Sequence, residues 1–412
     1  MKLSKTEIGE KWIRQFAICD QPTAATMLDA LMLLNEDQVS IAIRSTLDRI
    51  CRGYRHRNKR IALYAEREFQ ESEIFPSILT PDRYGVLRRR AVGSTGPSAV
   101  KPLRNSPRVG SEGFIAFLAS QQKDAWPKIF KNHPGPDRLR AKSAPAGEII
   151  ILTDFIGSGN RIRSMLDKFW SVPSIKSWVS RKLITFRVVS AAATDSGLKN
   201  VRHHRLRPEV ISEWIAPVVY SSSSQNVKIE WCQLIENYGP PNGRGCGRYG
   251  FGGEAALIAF SYRIPNNTPN ILHQSEGAWH ALYEGPAPTA LSALFGIRPM
   301  SQILQLAASA NGIKLEPSLL EYEKNMIIIL SLLRGRMYTG SEIELAEKCG
   351  IPVPIIFDIL REASKRGFIT SNGRLTDDGY KFLRAGTICD RKKPIVATRQ
   401  ESYYPKSLRV PR

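Results

Sequence analysis

The chain has 412 residues, is 42% hydrophobic and 24% charged, and carries a formal net charge of +21, the proportions of a globular protein of two or three domains. No apolar run approaches the roughly 20 residues of a membrane helix, and the opening MKLSKTEIGEKW lacks the apolar core of a signal peptide, so membrane and secreted classes are excluded and a cytoplasmic protein is expected. A surface this positive attracts polyanions over a Debye length, which makes nucleic acid and phosphate-rich ligands the expected partners. From the start, residues 1–60 read as a helical segment, because TAATMLDALMLL and VSIAIRSTLDRI place apolar residues at helical spacing. IALYAERE follows as a strand, and residues 72–109 are too rich in Pro, Gly and Arg for one regular element. GSEGFIAFLASQQ reads as a helix, then EIIILTD, LITFRVVSAAA, VKIEWCQL and EAALIAFSY as strands, with the helix IRSMLDKFW after the first. Continuous apolar strands alternating with helices predict an α/β domain over 61–285, its sheet mostly parallel and covered on both faces.

The six cysteines, Cys19, Cys51, Cys232, Cys246, Cys349 and Cys389, form no CxxC pair and read as reduced thiols. A zinc site from Cys232, Cys246, His203 and His204 fits no ligand spacing, so no metal is expected there.

The most informative stretch is IIILTDFIGSGNR at 149–161. A buried strand ends at Asp154, where open α/β sheets bind ligands. Gly157, Ser158, Gly159 and Asn160 then open a helix whose unpaired N–H groups and positive dipole end suit an anion. A strand-to-helix turn tightened by glycine is the alternative for Gly-x-Gly alone. The acid favours a ligand, because a carboxylate suits a ribose hydroxyl pair or a phosphate-bound magnesium ion.

This pattern resembles the phosphoribosyl pyrophosphate loop of the phosphoribosyltransferase fold. By that resemblance Asp154 matches the second of two acids that touch the ribose, and Gly157, Ser158, Gly159, Asn160 and Arg161 match the loop around the 5′-phosphate. Thr153 stands where the first acid is usual. WIRQF, VGSEGFIA, LTDFIGSGNR, SWVSRKLI, GRYGFGGEAALIAFSYRIPNNTPNILH and AWHALYEG extend the likeness over roughly residues 10–285. They resemble phosphoribosyltransferase-like effectors of bacterial conflict systems, some encoded beside retron reverse transcriptases. The resemblance implies a fold and a setting in antiphage defence, with the reaction itself unassigned; the loop and its acid add a phosphoribosyl pyrophosphate-like or nucleotide substrate with magnesium as the expected ligands.

Other segments carry two readings each. Gly110, Ser111, Glu112 and Gly113 either offer amides to a second anion such as pyrophosphate, aided by Arg104 or Arg108, or form a helix start capped by Ser111. Asn266 and Asn267 suit a base or ribose, or Asx turns. His273 and His280 are proton carriers or structural, and Trp279 stacks on a base or packs in the core.

Residues 286–316 read as a connection, 317–386 as a winged helix, and 387–412 as a basic tail whose paired tyrosines and arginines suit single-stranded nucleic acid, a clamp onto the protein's own core, or a merely solvated charge run. Helices are expected near 303–310 and 319–333. In the winged helix GSEIELAEKCG and IPVPIIFDILREASKRGFI are the helices, and TSNGRLTDDGYKFLRAG is the wing with Asn-Gly. Pro352 and Pro354 and few polar side chains open the second helix, which argues against direct base readout and leaves protein, RNA or backbone contacts. Two classes of function follow. The chain is either an effector enzyme controlled by a nucleic-acid or protein partner, such as a reverse transcriptase, or a non-catalytic nucleotide sensor. If basic segments hold nucleic acid through phosphates, log affinity falls linearly with log salt, and binding indifferent to salt in a fluorescence titration refutes the charge argument.

Overall fold

The computed structural model describes residues 2–54, 58–69, 73–98, 111–221, 225–240, 247–296, 313–316, 319–334, 342–349 and 351–387. The N-terminal part holds helices α1 (Glu7–Ile13) and α2 (Gln21–Asp29), strand β1 (Met32–Leu34) and helix α3 (Glu36–Gly53). Then come β2 (Arg60–Ala65), β3 (Ser77–Pro81), β4 (Leu87–Ala91), α4 (Ser111–Ala125), β5 (Phe130–Asn132), α5 (Pro136–Leu139) and β6 (Ala146–Ile156). They are followed by α6 (Asn160–Ser171), α7 (Pro173–Ser180), β7 (Thr185–Ala193), α8 (Asp195–Arg202), β8 (Glu209–Ile215), α9 (Gln225–Tyr238), β9 (Ile258–Phe260) and α10 (Asn270–His273). The C-terminal helices are α11 (Glu321–Leu333), α12 (Glu342–Cys349), α13 (Val353–Lys365) and α14 (Asp377–Gly386).

Five strands form one parallel sheet in the order β5-β2-β6-β7-β8. β6 lies at its centre because its run of isoleucine and leucine has no polar face to show to water. Ile149 and Ile151 enter one apolar cluster while Ile150 and Leu152 enter another, the period-2 alternation of a strand covered on both sides. α3 and α4 cover the second cluster. α6, α7 and α8 cover the first, where Phe169 meets Tyr64, Phe75 and Phe186 edge-on at 5.2–5.9 Å. A two-stranded parallel sheet of β1 and β9 lies apart, and its side chains join two clusters alternately: Ile258 and Phe260 face the α3 side, Leu257 and Ala259 the N-terminal helices.

Several expectations are corrected. VKIEWCQL is helix α9, not a strand. Val227, Trp231, Leu234, Ile235 and Tyr238 face one core, and this 3.6-residue period outweighs the β propensity of Val, Ile and Trp. MLL within the helical entry segment is β1, and only Ile258–Phe260 of EAALIAFSY is a strand, because these two short runs pair with each other. The punctuated region contains an antiparallel hairpin, β3 with β4. The expected wing is a single bridge, Ile369 to Leu375, around Gly373 at φ 71°, and its second half is α14, capped by the Thr376 hydroxyl. The expected helix near 303–310 and the basic tail lie outside the described residues.

α11 to α14 do not stand clear of the sheet. α12 and α13 pack against edge strand β8, and Ile327, Ile356 and Ile359 belong to the same cluster as Ile151 and Phe169. No helix among the described residues is long and apolar enough to cross a membrane. A chain ending after residue 296 leaves this surface open, so differential scanning calorimetry should find it melting roughly 5 °C or more below the full chain. Equal melting temperatures contradict the shared core.

Candidate functional site

The strand-to-helix loop of residues 157–159 is built from both sides. Gly159, at φ 77°, is the N-cap of α6, a left-handed conformation that costs glycine little. The loop carbonyls turn toward α8: Gly157 O accepts from the Thr194 hydroxyl at 2.7 Å and Ser158 O from Asn200 Nδ2 at 2.7 Å. Gly197 of α8 approaches so closely that a Cβ there would sit 1.9 Å from Gly157 O. With the carbonyls engaged, the amides of Ser158, Gly159 and Arg161 donate to no acceptor among the described residues. They are the free donors of a helix start.

Residues 155–162 border a cavity of about 790 Å³. Its wall carries four carboxylates, Glu66, Glu68, Glu276 and Glu284, together with Arg161, Arg263 and His273. The opposite side comes from the segment after β9. There Asn267 packs on Gly157 and donates through Nδ2 to Phe251 O at 2.9 Å, and Asn266 O accepts from Phe251 N at 2.7 Å. Both asparagines line the cavity, as does His273. Trp279 packs in the core instead, in ring contact with Trp12, Phe16 and Tyr238 and donating to Ile271 O.

Thr153 and Asp154 are buried at the end of β6 and do not line the cavity. Asp154 Oδ1 accepts from Phe155 N at 2.9 Å, and Oδ2 accepts from Tyr262 Oη at 2.8 Å and Arg263 Nη2 at 3.1 Å. The carboxylate raises the pKa of the Arg263 guanidinium further, and burial followed by the same charge pushes the Tyr262 phenol well up. Both partners therefore stay as donors to Asp154. The Thr153 hydroxyl donates to Glu66 Oε2 at 2.8 Å, so the neighbouring strand brings an acid to this position.

Arg161 is held by three acids, with Glu66 Oε1 at 3.0 Å, Glu68 Oε1 at 3.3 Å and Glu112 Oε1 at 2.9 Å. The Glu112 contact ties the first turn of α4 to the first turn of α6. Gly110, Arg104 and Arg108 lie outside the described residues, Ser111 begins α4, and Gly113 follows in its first turn. Sequence reasoning missed Glu66, Glu68, Tyr262 and Arg263. The signal for the first two was the position of ERE at the carboxyl end of a parallel strand.

The end of β2 has its own anchor, since Ala65 N donates to His133 Nε2 at 2.9 Å. Burial first, then Arg67, lowers the His133 pKa from 6.5 to about 4, which keeps the ring neutral and able to accept. His203 and His204 do not join Cys232 in a metal cluster. His204 Nε2 lies 3.1 Å from Asp167 Oδ1, and among the described residues no group of three or more His, Cys, Asp or Glu could hold a metal ion.

Comparison with protein families finds two matches. Residues 10–284, well over half of the chain, match the PRTase-CE family model, and residues 327–410 match a model described as wHTH-PRTase associated. No curated protein matches.

His133 should titrate by NMR near pH 4, not near 6.5. Because its folded pKa is depressed, its contribution to stability is present above about 6.5 and is lost as pH falls toward 4. A midpoint near 6.5 would mean that the ring does not hold Ala65.

Proposed function

The chain belongs to the PRTase-CE family, and from this premise we propose that it binds a sugar phosphate or nucleotide on residues 157–161 and acts as a phosphoribosyltransferase-like effector. The observation that carries this reading is the loop itself. Its carbonyls are drawn into Thr194 and Asn200, and its residues line a cavity large enough for a nucleotide. A terminal phosphate takes those amides, and the sugar lies along the carboxylate-lined wall. Glycosyl transfer develops positive charge on the sugar carbon, which carboxylates stabilise. Magnesium on such substrates is held largely by their phosphates with one or two carboxylates, and Glu68 on the cavity wall would serve.

The setting we propose is retron-type antiphage defence. The winged helix takes a nucleic-acid or protein partner, such as a reverse transcriptase, that keeps the effector in check. On α13, Arg361 pairs with Asp358 and Arg366 with Glu362, while Phe357 is exposed. These features suit protein or backbone contacts better than base readout. A second reading, a non-catalytic nucleotide sensor, is favoured by the neutralisation of Arg161 by three acids, which leaves phosphate binding to amides.

Gly159→Val puts a branched side chain at a left-handed position, where Gly197 O and Val201 lie 2.8 Å from a Cβ. Isothermal titration with phosphoribosyl pyrophosphate, ribose 5-phosphate and AMP should show the variant at least ~30-fold weaker, about 2 kcal/mol. Mass spectrometry of nucleotides should show pools altered by the parent but not the variant if the chain is an enzyme, and unaltered by both if it is a sensor. A variant that binds all three as the parent does refutes the phosphate site.

A further inference from the structure

We infer that Glu66, and not Asp154, is the carboxylate that meets the sugar hydroxyls of a bound pentose phosphate, while Asp154 is a positioning residue that fixes the far wall of the cavity. This assignment rests on the phosphate-site reading above and deepens it.

Three observations carry it. First, Glu66 lines the cavity and Asp154 does not. Second, the acceptor capacity of Asp154 is already engaged, with Phe155 N on Oδ1 and Tyr262 and Arg263 on Oδ2. A sugar hydroxyl at Oδ2 would have to displace a charged donor held in a pocket that leaves the Asp154 side chain only 3% exposed. Third, Glu66 is oriented but not saturated. Its Oε2 accepts from Thr153. Arg161 Nε lies 3.0 Å from Oε1 but off the hydrogen-bonding direction, so that oxygen has a charge partner and no hydrogen bond. Glu66 is 6% exposed, and a buried carboxylate oxygen without a donor is costly unless a ligand supplies one.

The chemistry of that ligand follows. A carboxylate accepts and does not donate, so its free oxygen calls for a donor, which a sugar hydroxyl supplies. Arg161, the second residue of α6, links Glu66 to the amides that take the phosphate. Glu66 and the loop line one cavity, and a pentose phosphate carries a hydroxyl pair and a phosphate in one small molecule. Thr153 is then no lost acid. Its hydroxyl holds an acid that arrives from β2, and anchoring of Ala65 by His133 fixes where β2 ends.

Asp154 acts through other groups. By holding Tyr262 and Arg263 it places the residues just before Asn266 and Asn267, which close the cavity over Gly157.

The test compares inorganic phosphate with ribose 5-phosphate by isothermal titration, alongside melting temperature, for the full chain and its variants. Glu66→Gln should bind inorganic phosphate as the parent does and ribose 5-phosphate roughly 10- to 100-fold more weakly. Its melting temperature should change little, because Arg161 keeps Glu68 and Glu112. Thr153→Val should weaken ribose 5-phosphate in the same direction by several-fold, which keeps the test open should Glu66→Gln fail to fold. Asp154→Asn should melt roughly 5–10 °C lower and lose both probes together. If Glu66→Gln binds ribose 5-phosphate like the parent, or if Asp154→Asn loses only the sugar probe at an unchanged melting temperature, the assignment is overturned. If the parent binds neither probe, the phosphate-site reading fails first and takes this assignment with it.

Discussion

The end of the central strand depends on a buried ion pair. Asp154 closes β6 with a carboxylate that water scarcely reaches, and its charge is tolerable there only because Phe155 N, Tyr262 and Arg263 all donate to it. Tyr262 and Arg263 come from 108 and 109 residues later in the chain. The pair therefore does topological work, fastening the segment after β9 over the strand end and creating the second wall of a cavity that the sheet alone would leave open. Removing one partner would strand the other charge, a loss on the order of 3 kcal/mol.

Around that anchor the loop gains its shape from contacts that use no charge. Thr194 and Asn200 hold two carbonyls, Gly197 lets α8 come against the backbone of Gly157, and Gly159 takes the left-handed turn into α6. Two of the loop's carbonyls are thereby turned toward α8 and its N-cap. Arg161, which lines the same cavity, is occupied in drawing Glu66, Glu68 and Glu112 together. The cavity wall carries four carboxylates, although the protein as a whole is strongly basic.

The C-terminal helices extend the same principle of shared burial. α12 and α13 rest on β8, the last strand of the sheet. The winged-helix region is thus in direct contact with the sheet whose other strands border the cavity.

Much of this was legible in the chain alone. The isoleucine run of β6, the Gly-Ser-Gly-Asn turn and the amphipathic face of α6 specify a parallel strand, a tight turn and a helix by local pattern. Local pattern is also enough to mark the winged-helix region. Short apolar runs were not decided locally. VKIEWCQL became a helix because Trp231, Leu234 and Ile235 found one core, and MLL became a strand because Ile258–Phe260 lay beside it. The roles of the acids were the least readable. Sequence placed Asp154 at the strand end and Thr153 beside it, but only the tertiary structure could bring Arg263 to the first and Glu66 to the second. Those partners lie 109 and 87 residues away, and whether a carboxylate faces a ligand or a guanidinium depends on what the fold sets next to it.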